Sequence, residues 1–503
     1  MNRIACRFSL LWISFLILSG NLSGADNEVF ENLELNIPGK VQLCLPYDLN
    51  SDGKAEAVVV YKKGEYPGEE VFISAWEFSK SDEGAIKSQE LFNFAVDKKI
   101  SAFTLGRRGP DRKTPSFFGL SRDGVYSFGV NGKGYYLDQL INIDTLFGLQ
   151  ERGNIVYFDF VRDFNGDGTD EIIVPVKNGM ALYSLGSQNK YAEETVLPVA
   201  ANYFYRSSLG DLPFEMKYSV RGSFWIPQIL SLDFNNDGFK DIVFLWQDEI
   251  KVFYGNREGK FAPERADNFF FNDLSPQDRD DRNSYVIYFI DDLNGDGLPD
   301  LVKNKFKGAF TSLKTETQIT FRDNPAKVSG KVLLIKPGGS IGQGGIVRDV
   351  SGDGRKDLIT ASSSFGLLSI IKALLRGKID IKFSFYIFND KSYYGKDPDY
   401  SRTLTFGFNL KNAEVEGFLP SLDGDFNGDG YPDALYAPND DEVKVILNNG
   451  KGRFDLDETR KYKTRVSGEF GVRDFDGDGK SDLCFFYKKG ESRNKVGFLF
   501  SRL

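Results

Sequence analysis

One pattern, D-x-[N/D/S]-x-D-G-x-x-[D/E], occurs seven times in this chain of 503 residues, starting at Asp48, Asp163, Asp233, Asp292, Asp349, Asp425 and Asp474. Residues 421–454 show the whole unit: an acidic loop, a short apolar run, a polar turn and a second apolar run. A single unit of this size cannot bury its own apolar faces. A chain of such units must stack them into one continuous core.

Alternate residues of a tight loop can aim oxygens at one point. Here positions 1, 3, 5 and 9 supply them. The sets are Asp48, Asn50, Asp52 and Glu56; Asp163, Asn165, Asp167 and Glu171; Asp233, Asn235, Asp237 and Asp241; Asp292, Asn294, Asp296 and Asp300. The remaining three are Asp349, Ser351, Asp353 and Asp357; Asp425, Asn427, Asp429 and Asp433; Asp474, Asp476, Asp478 and Asp482. The backbone carbonyl of position 7, Tyr431 in the sixth copy, is placed to add one more. Position 6 is glycine throughout, as expected where the chain turns sharply and φ is positive. Clustered carboxylate and amide oxygens suit a hard cation, and their crowding favours Ca²⁺ over Mg²⁺. Up to seven structural Ca²⁺ are therefore expected. An EF-hand is excluded, because it needs a Glu at position 12 and flanking helices. The alternative is an Asx-rich turn without metal; retention of the ninth acid in all seven copies argues against it. By carboxylate count the Asp474 copy should bind most tightly and the Asp349 copy, with Ser351 at position 3, most weakly. Glu56 and Glu171 offer a longer arm able to bind through two oxygens.

Residues 1–25 have the layout of a secretory signal: Arg3 and Arg7, an apolar run from Phe8 to Leu18, and Ser23-Gly24-Ala25 at the cut. The run is short for a membrane span, and no later stretch is apolar enough to cross a bilayer. The expected product is an exported protein in the periplasm, on the cell surface or secreted. Cys6 leaves with the signal. Cys44 and Cys484 remain, either as buried free thiols or as a disulfide between the first and last repeats. The chain has no histidine, which excludes His-based triads and His-containing zinc or iron sites. Its formal charge of −9 becomes about −11 without Arg3 and Arg7, and seven divalent ions would bring it to about +3. The acidity is thus matched to the loops. With no basic stripe, no nucleic-acid partner is expected.

The second loop starts 115 residues after the first, and later starts are 70, 59, 57, 76 and 49 residues apart. The long gap holds a worn unit: 117–120 and 125–128 match the two apolar runs, while Gly106 to Pro115 has lost the acidic spacing. Eight repeats of roughly sixty residues suit four-stranded propeller blades. The chain ends one strand short, at Val496 to Phe500, and the leader strand near Leu33 can complete that blade and close the ring. The expected fold is all-β, one β-propeller domain over 26–503 with eight (or seven) blades, closed by an N-terminal strand and monomeric. Three departures are expected. Pro263 to Arg282 reads as a charged insertion. Ser364 to Gly377 reads as a short helix packed on the rim. Tyr393, Tyr394 and Tyr400 decorate a loop, as a binding surface or as rim packing.

The sequence resembles the FG-GAP/VCBS-type repeats, also present in integrin α-subunit heads. The resemblance is carried by residues 424–454 and 232–261, and by DFNGDGTDEIIV (163–174), DLNGDGLPDLV (292–302), DVSGDGRKDLI (349–359) and DFDGDGKSDLCFF (474–486). It implies a propeller whose calcium ligands are positions 1, 3, 5 and 9 of each loop. Seven blades are common in that family, so a seven-bladed ring competes with the count of eight. The family spans adhesion proteins, carbohydrate-binding modules and accessory domains of enzymes, so it does not name a function. Two functions fit. One is a non-catalytic exported scaffold for a protein or glycan, with Pro263–Arg282 and Lys378–Phe406 as contact loops. The other is a calcium-dependent polysaccharide lyase, for which no acid or base cluster outside the loops can be seen.

Overall fold

The computed structural model describes residues 29–503 apart from 66–67, 109–114, 151–152, 187, 200, 209–218, 247–248, 272, 274, 276–283, 309–313, 337–340, 364–374, 410–413 and 467–468. The expected signal, 1–25, lies outside the described residues. Eight antiparallel sheets of four main strands, blades 1 to 8 from Lys40–Tyr47 onward, follow one another along the chain, and a two-stranded hairpin interrupts the series. The chain is an eight-bladed β-propeller. Among the described residues, helix is confined to three single 3-10 turns and residues 375–376. No helix among them is long and apolar enough to cross a membrane.

The core is annular. It divides into eight apolar clusters, and each joins one blade to the next. A blade therefore buries both faces of its sheet. This explains why second strands such as Glu171–Val176, Asp241–Leu245 and Asp482–Phe486 are buried at every position. They read as continuous apolar runs rather than as the alternation of a half-buried strand. First strands of neighbouring blades contact one another, as in Lys40–Tyr47 with Phe470–Arg473, which puts them next to the axis.

The worn unit is a complete blade. Its strands are Ala102–Gly106, Ser116–Ser121, Gly124–Asn131 and Gly134–Asn142, with the short Val156–Tyr157 added in parallel. The ring closes as expected from the sequence. Phe30–Asn36 pairs along its whole length with Lys495–Ser501, the third strand of blade 8, and so supplies that blade's fourth. Closure removes the free edges that an open repeat array would present. At this seam Cys44 and Cys484 are free and buried. Hydrogen bonding between the two thiols, and then burial, hold Cys44 well above the ordinary thiol range.

Several expected loops are strands. Pro263–Arg265 is a single 3-10 turn, and Ala266–Phe270 is the fourth strand of blade 4. Phe253 of the third strand pairs with Ala266, so the blade is finished by the segment read as an insertion. Within Lys378–Phe406, Lys378–Tyr386 is the third strand of blade 6, and Tyr400–Asn409, which runs on past it, is the fourth. Only the stretch between them is loop. Tyr394 is buried and its hydroxyl donates to Lys356 O at 2.7 Å. Tyr400 stacks on Phe385 with centroids 4.5 Å apart and planes at 3°. These tyrosines pack the rim and do not present a surface. Most of the expected helix 364–377 lies outside the described residues. The hairpin Asn202–Ser208 with Ser219–Trp225, between blades 3 and 4, had no counterpart in the sequence pattern.

Candidate metal loops on one rim of the ring

Every acidic loop joins the first strand of a blade to its second. The seven therefore lie on one rim, in blades 1 and 3 to 8. All twenty-eight candidate ligands fall in them.

The loops share one hydrogen-bond network. The position 1 carboxylate accepts the N–H of position 6 in every copy, at 2.7 to 3.2 Å. The position 5 carboxylate accepts the N–H of position 7 in every copy. Position 6 has φ between 82° and 91°. A Cβ there would meet nothing within 4 Å at Gly430, Gly479 or Gly354, so backbone conformation, not crowding, requires glycine. Position 4 is also left-handed, and Ser51 (φ 62°) and Asn236 (φ 58°) adopt it without being glycine.

The ninth residue is buried in all seven loops. One of its oxygens accepts the N–H of position 2, at 2.6 to 3.1 Å. Where the residue is Asp, the other oxygen accepts a backbone N–H just beyond or at the end of a later strand: Gly255, Arg322, Phe388, Asn448 or Ser501. The ninth acid thus ties the loop into its own blade. Burial is the main cause of a raised pKa at each. Asp433 and Glu56 are pushed to about 6, Asp241 and Asp300 to about 7, and Glu171 and Asp482 to about 8. The neighbouring loop carboxylates push the same way, while the backbone N–H bonds oppose. Asp357 is also raised by burial.

This donor set fits a hard cation. In the Asp474 loop, oxygens of Asp474, Asp476 and Asp482 all lie within 4.8 Å of one another. Each carboxylate oxygen that accepts one amide keeps a second lone pair. A divalent ion would remove the repulsion that burial has concentrated there.

Residues 425–485 match the family model of the FG-GAP-like repeat. That stretch, in blades 7 and 8 of the eight-bladed propeller, is therefore an FG-GAP-like repeat. No curated protein matches the chain. Among solved structures, a putative 6-phosphogluconolactonase from Bacteroides uniformis aligns over 85% of this chain and 98% of its own, at 11% identity and a TM-score of 0.30. TcdB2-TccC3 without its hypervariable C-terminal region aligns over 93% of this chain and 27% of its own, at 9% identity and a TM-score of 0.20. Neither likeness bears on the function of this propeller.

Two features of the acidic loops escape a motif of acids. Position 2 is a wildcard in the pattern, yet it is Leu49, Phe164, Phe234, Leu293, Val350, Phe426 or Phe475, all buried. Each plugs the core of the next blade. Phe426 packs with Leu483 and Val472 of blade 8, and Phe475 with Ala57 and Phe78 of blade 1. Burying such a side chain contributes about 1.5–3 kcal/mol to blade docking. An unbroken apolar choice at that wildcard was the available signal.

The second feature is at Asp476. Its Oδ2 lies 3.0 Å from Lys80 Nζ and 3.2 Å from Arg502 Nη1, and Arg502 also holds Glu31 of the closing strand at 2.6 Å. Its Oδ1 accepts the N–H of Asp478, as the Asn Oδ1 does in five other loops. Two side-chain cations thus offset the fourth carboxylate. Tightest binding in the Asp474 loop no longer follows from carboxylate count alone.

Proposed function

We propose that this protein is an exported, calcium-binding propeller that serves as a non-catalytic scaffold for a protein or glycan. The observation that carries it is the repetition of one loop network, with a buried ninth acid, at seven places on one rim. The residues at positions 1, 3, 5 and 9 would hold the ions, joined by the position 7 carbonyl. The bound ion supplies charge neutralisation. The chain's own part is to hold the blades in register: position 2 docks the next blade and position 9 anchors the loop. The conspicuous carboxylates are committed to these tasks, which leaves a scaffold as the function the geometry supports best. Exposed apolar side chains on the fourth strands of blades 4 and 5, Phe270, Val332 and Leu334, add apolar area on which a partner could dock.

The calcium-loaded protein is expected to retain a protein or glycan ligand on an array, and to lose it in EDTA. It is expected to leave a panel of anionic polysaccharides intact when unsaturated product is followed by absorbance. Turnover abolished by changing a Tyr or Lys outside the loops would overturn the scaffold and establish a lyase.

A further inference from the structure

Along the rim, each loop followed by another loop-bearing blade is hydrogen-bonded to that blade. In all six pairs of adjacent loop-bearing blades, the carbonyl of position 1 or 2 accepts a hydrogen bond from the following blade. Three times the donor is the N–H of position 8: Ala55 to Asp474 O at 2.8 Å, Lys356 to Leu293 O at 3.0 Å and Ser481 to Asp425 O at 2.7 Å. Pro299 and Pro432 occupy position 8 in two loops and have no N–H. There a side chain replaces it. Arg322 Nη1 donates to Phe234 O at 2.8 Å and to Pro299 O at 3.2 Å. Asn448 Nδ2 donates to Val350 O at 2.8 Å and to Pro432 O at 3.2 Å. In the sixth pair Ser231 Oγ donates to Phe164 O at 2.9 Å. Ser501 Oγ adds a second bond, to Phe426 O at 2.6 Å.

A separate contact runs the same way. The position 7 side chain lies over position 4 of the preceding loop: Lys54 over Gly477, Lys480 over Gly428, Tyr431 over Gly352 and Arg355 over Gly295. The bonded carbonyl sits between candidate ligand positions 1 and 3. Fixing that peptide fixes how the two oxygens are aimed at each other.

We propose that Ser231, Arg322, Asn448 and Ser501 are positioning residues for the cation of the preceding blade, and that ion binding in adjacent loops is coupled through them and the position 8 amides. This rests on the calcium-binding function above. Recurrence of a donor where proline has removed the amide shows that the bond, not the residue, is the shared feature. The coupling forms an open chain from the Asp163 loop to the Asp48 loop, interrupted at blade 2, which has no acidic loop. Coupling between two sites is reciprocal, so a loop that tightens its neighbour on binding an ion is tightened to the same extent by the neighbour's ion.

The test is a calcium titration of the full chain by calorimetry, with hydrogen exchange of loop peptides read at each free calcium concentration. Ser501→Ala deletes one hydroxyl and no ligand. It is expected to keep the calcium count and to weaken the Asp425 loop about fivefold, the loss of one hydrogen bond. Asp429→Asn is expected to weaken its own loop and to shift the midpoints of the Asp349 and Asp474 loops, leaving the Asp163 loop as in wild type. A merely structural role for Ser501 would lower the unfolding temperature equally in calcium and in EDTA and leave every loop midpoint unchanged. That result, or an Asp429→Asn variant whose neighbours do not shift, overturns the coupling while leaving the calcium sites intact. Wild-type protein that binds no calcium removes the function itself and the coupling with it.

Discussion

Stripping calcium from the protein with EDTA is expected to lower its unfolding temperature by at least about 10 °C, and restoring calcium to reverse the shift. An ion bound only by the native state stabilises it by about 2.7 kcal/mol when it stands at a hundredfold excess over Kd. In a repeat protein such terms add approximately over the units. A few occupied loops would then match the whole stability of an ordinary domain, about 5–15 kcal/mol, and each kcal/mol is worth a degree or more of unfolding temperature. The effect is expected to be large because the ion would act where blades meet. Without it, the ninth acid and its neighbours repel beside a buried position 2 side chain that docks the next blade. Scanning calorimetry in EDTA and then in excess calcium reads the shift. Equal unfolding temperatures in both would mean that the loops are self-contained Asx turns.

In the calcium-free protein, stability is expected to fall as pH rises from about 5 to 8. The ninth acids have native pKa values raised above the ordinary carboxylate range, to about 6 for Asp433, about 7 for Asp241 and about 8 for Glu171 and Asp482. Between the unfolded value near 4 and these native values, the folded state holds more protons than the unfolded chain. Stability from these groups is therefore full below about pH 4 and is lost as pH rises through their native pKa values. Calcium would bind the ionised form, so it would act in the opposite sense. The unfolding-temperature gain on adding calcium should be small at pH 5 and largest at pH 8. A calcium-free unfolding temperature that climbs steadily from pH 5 to pH 8 would show that the ninth acids are not held in a desolvating site.

Much of this architecture could be read from residue spacing, because the repeat is local and its chemistry is strict. The glycine at position 6, the post-loop strands, the degenerate unit around Phe117 and Val125, and the leader strand that closes the ring all follow from short-range pattern. What escaped the pattern is contact between units. Phe426 and Phe475 fall at a wildcard between acids, and only the stacked blades show them plugging their neighbours. Arg322 and Asn448 lie 22 and 15 residues after the acids of their own loops, yet they bond the loop of the blade before. Lys80 meets Asp476 across about 400 residues, because ring closure brings blade 1 beside blade 8. Charge misled the reading of Ala266–Phe270, since an outer strand has a solvated face and need not be apolar. Tyr394 and Tyr400 lie near a turn in sequence but bury their rings against Phe321 and Phe385 in space.

The most direct measurement is a calcium count per chain by equilibrium dialysis of the purified protein, followed by elemental analysis. Seven similar loops with buried ninth acids predict several bound ions, up to seven per chain, that leave on chelation and return on addition of calcium. Protein that carries no calcium at millimolar free ion would contradict the account at its centre.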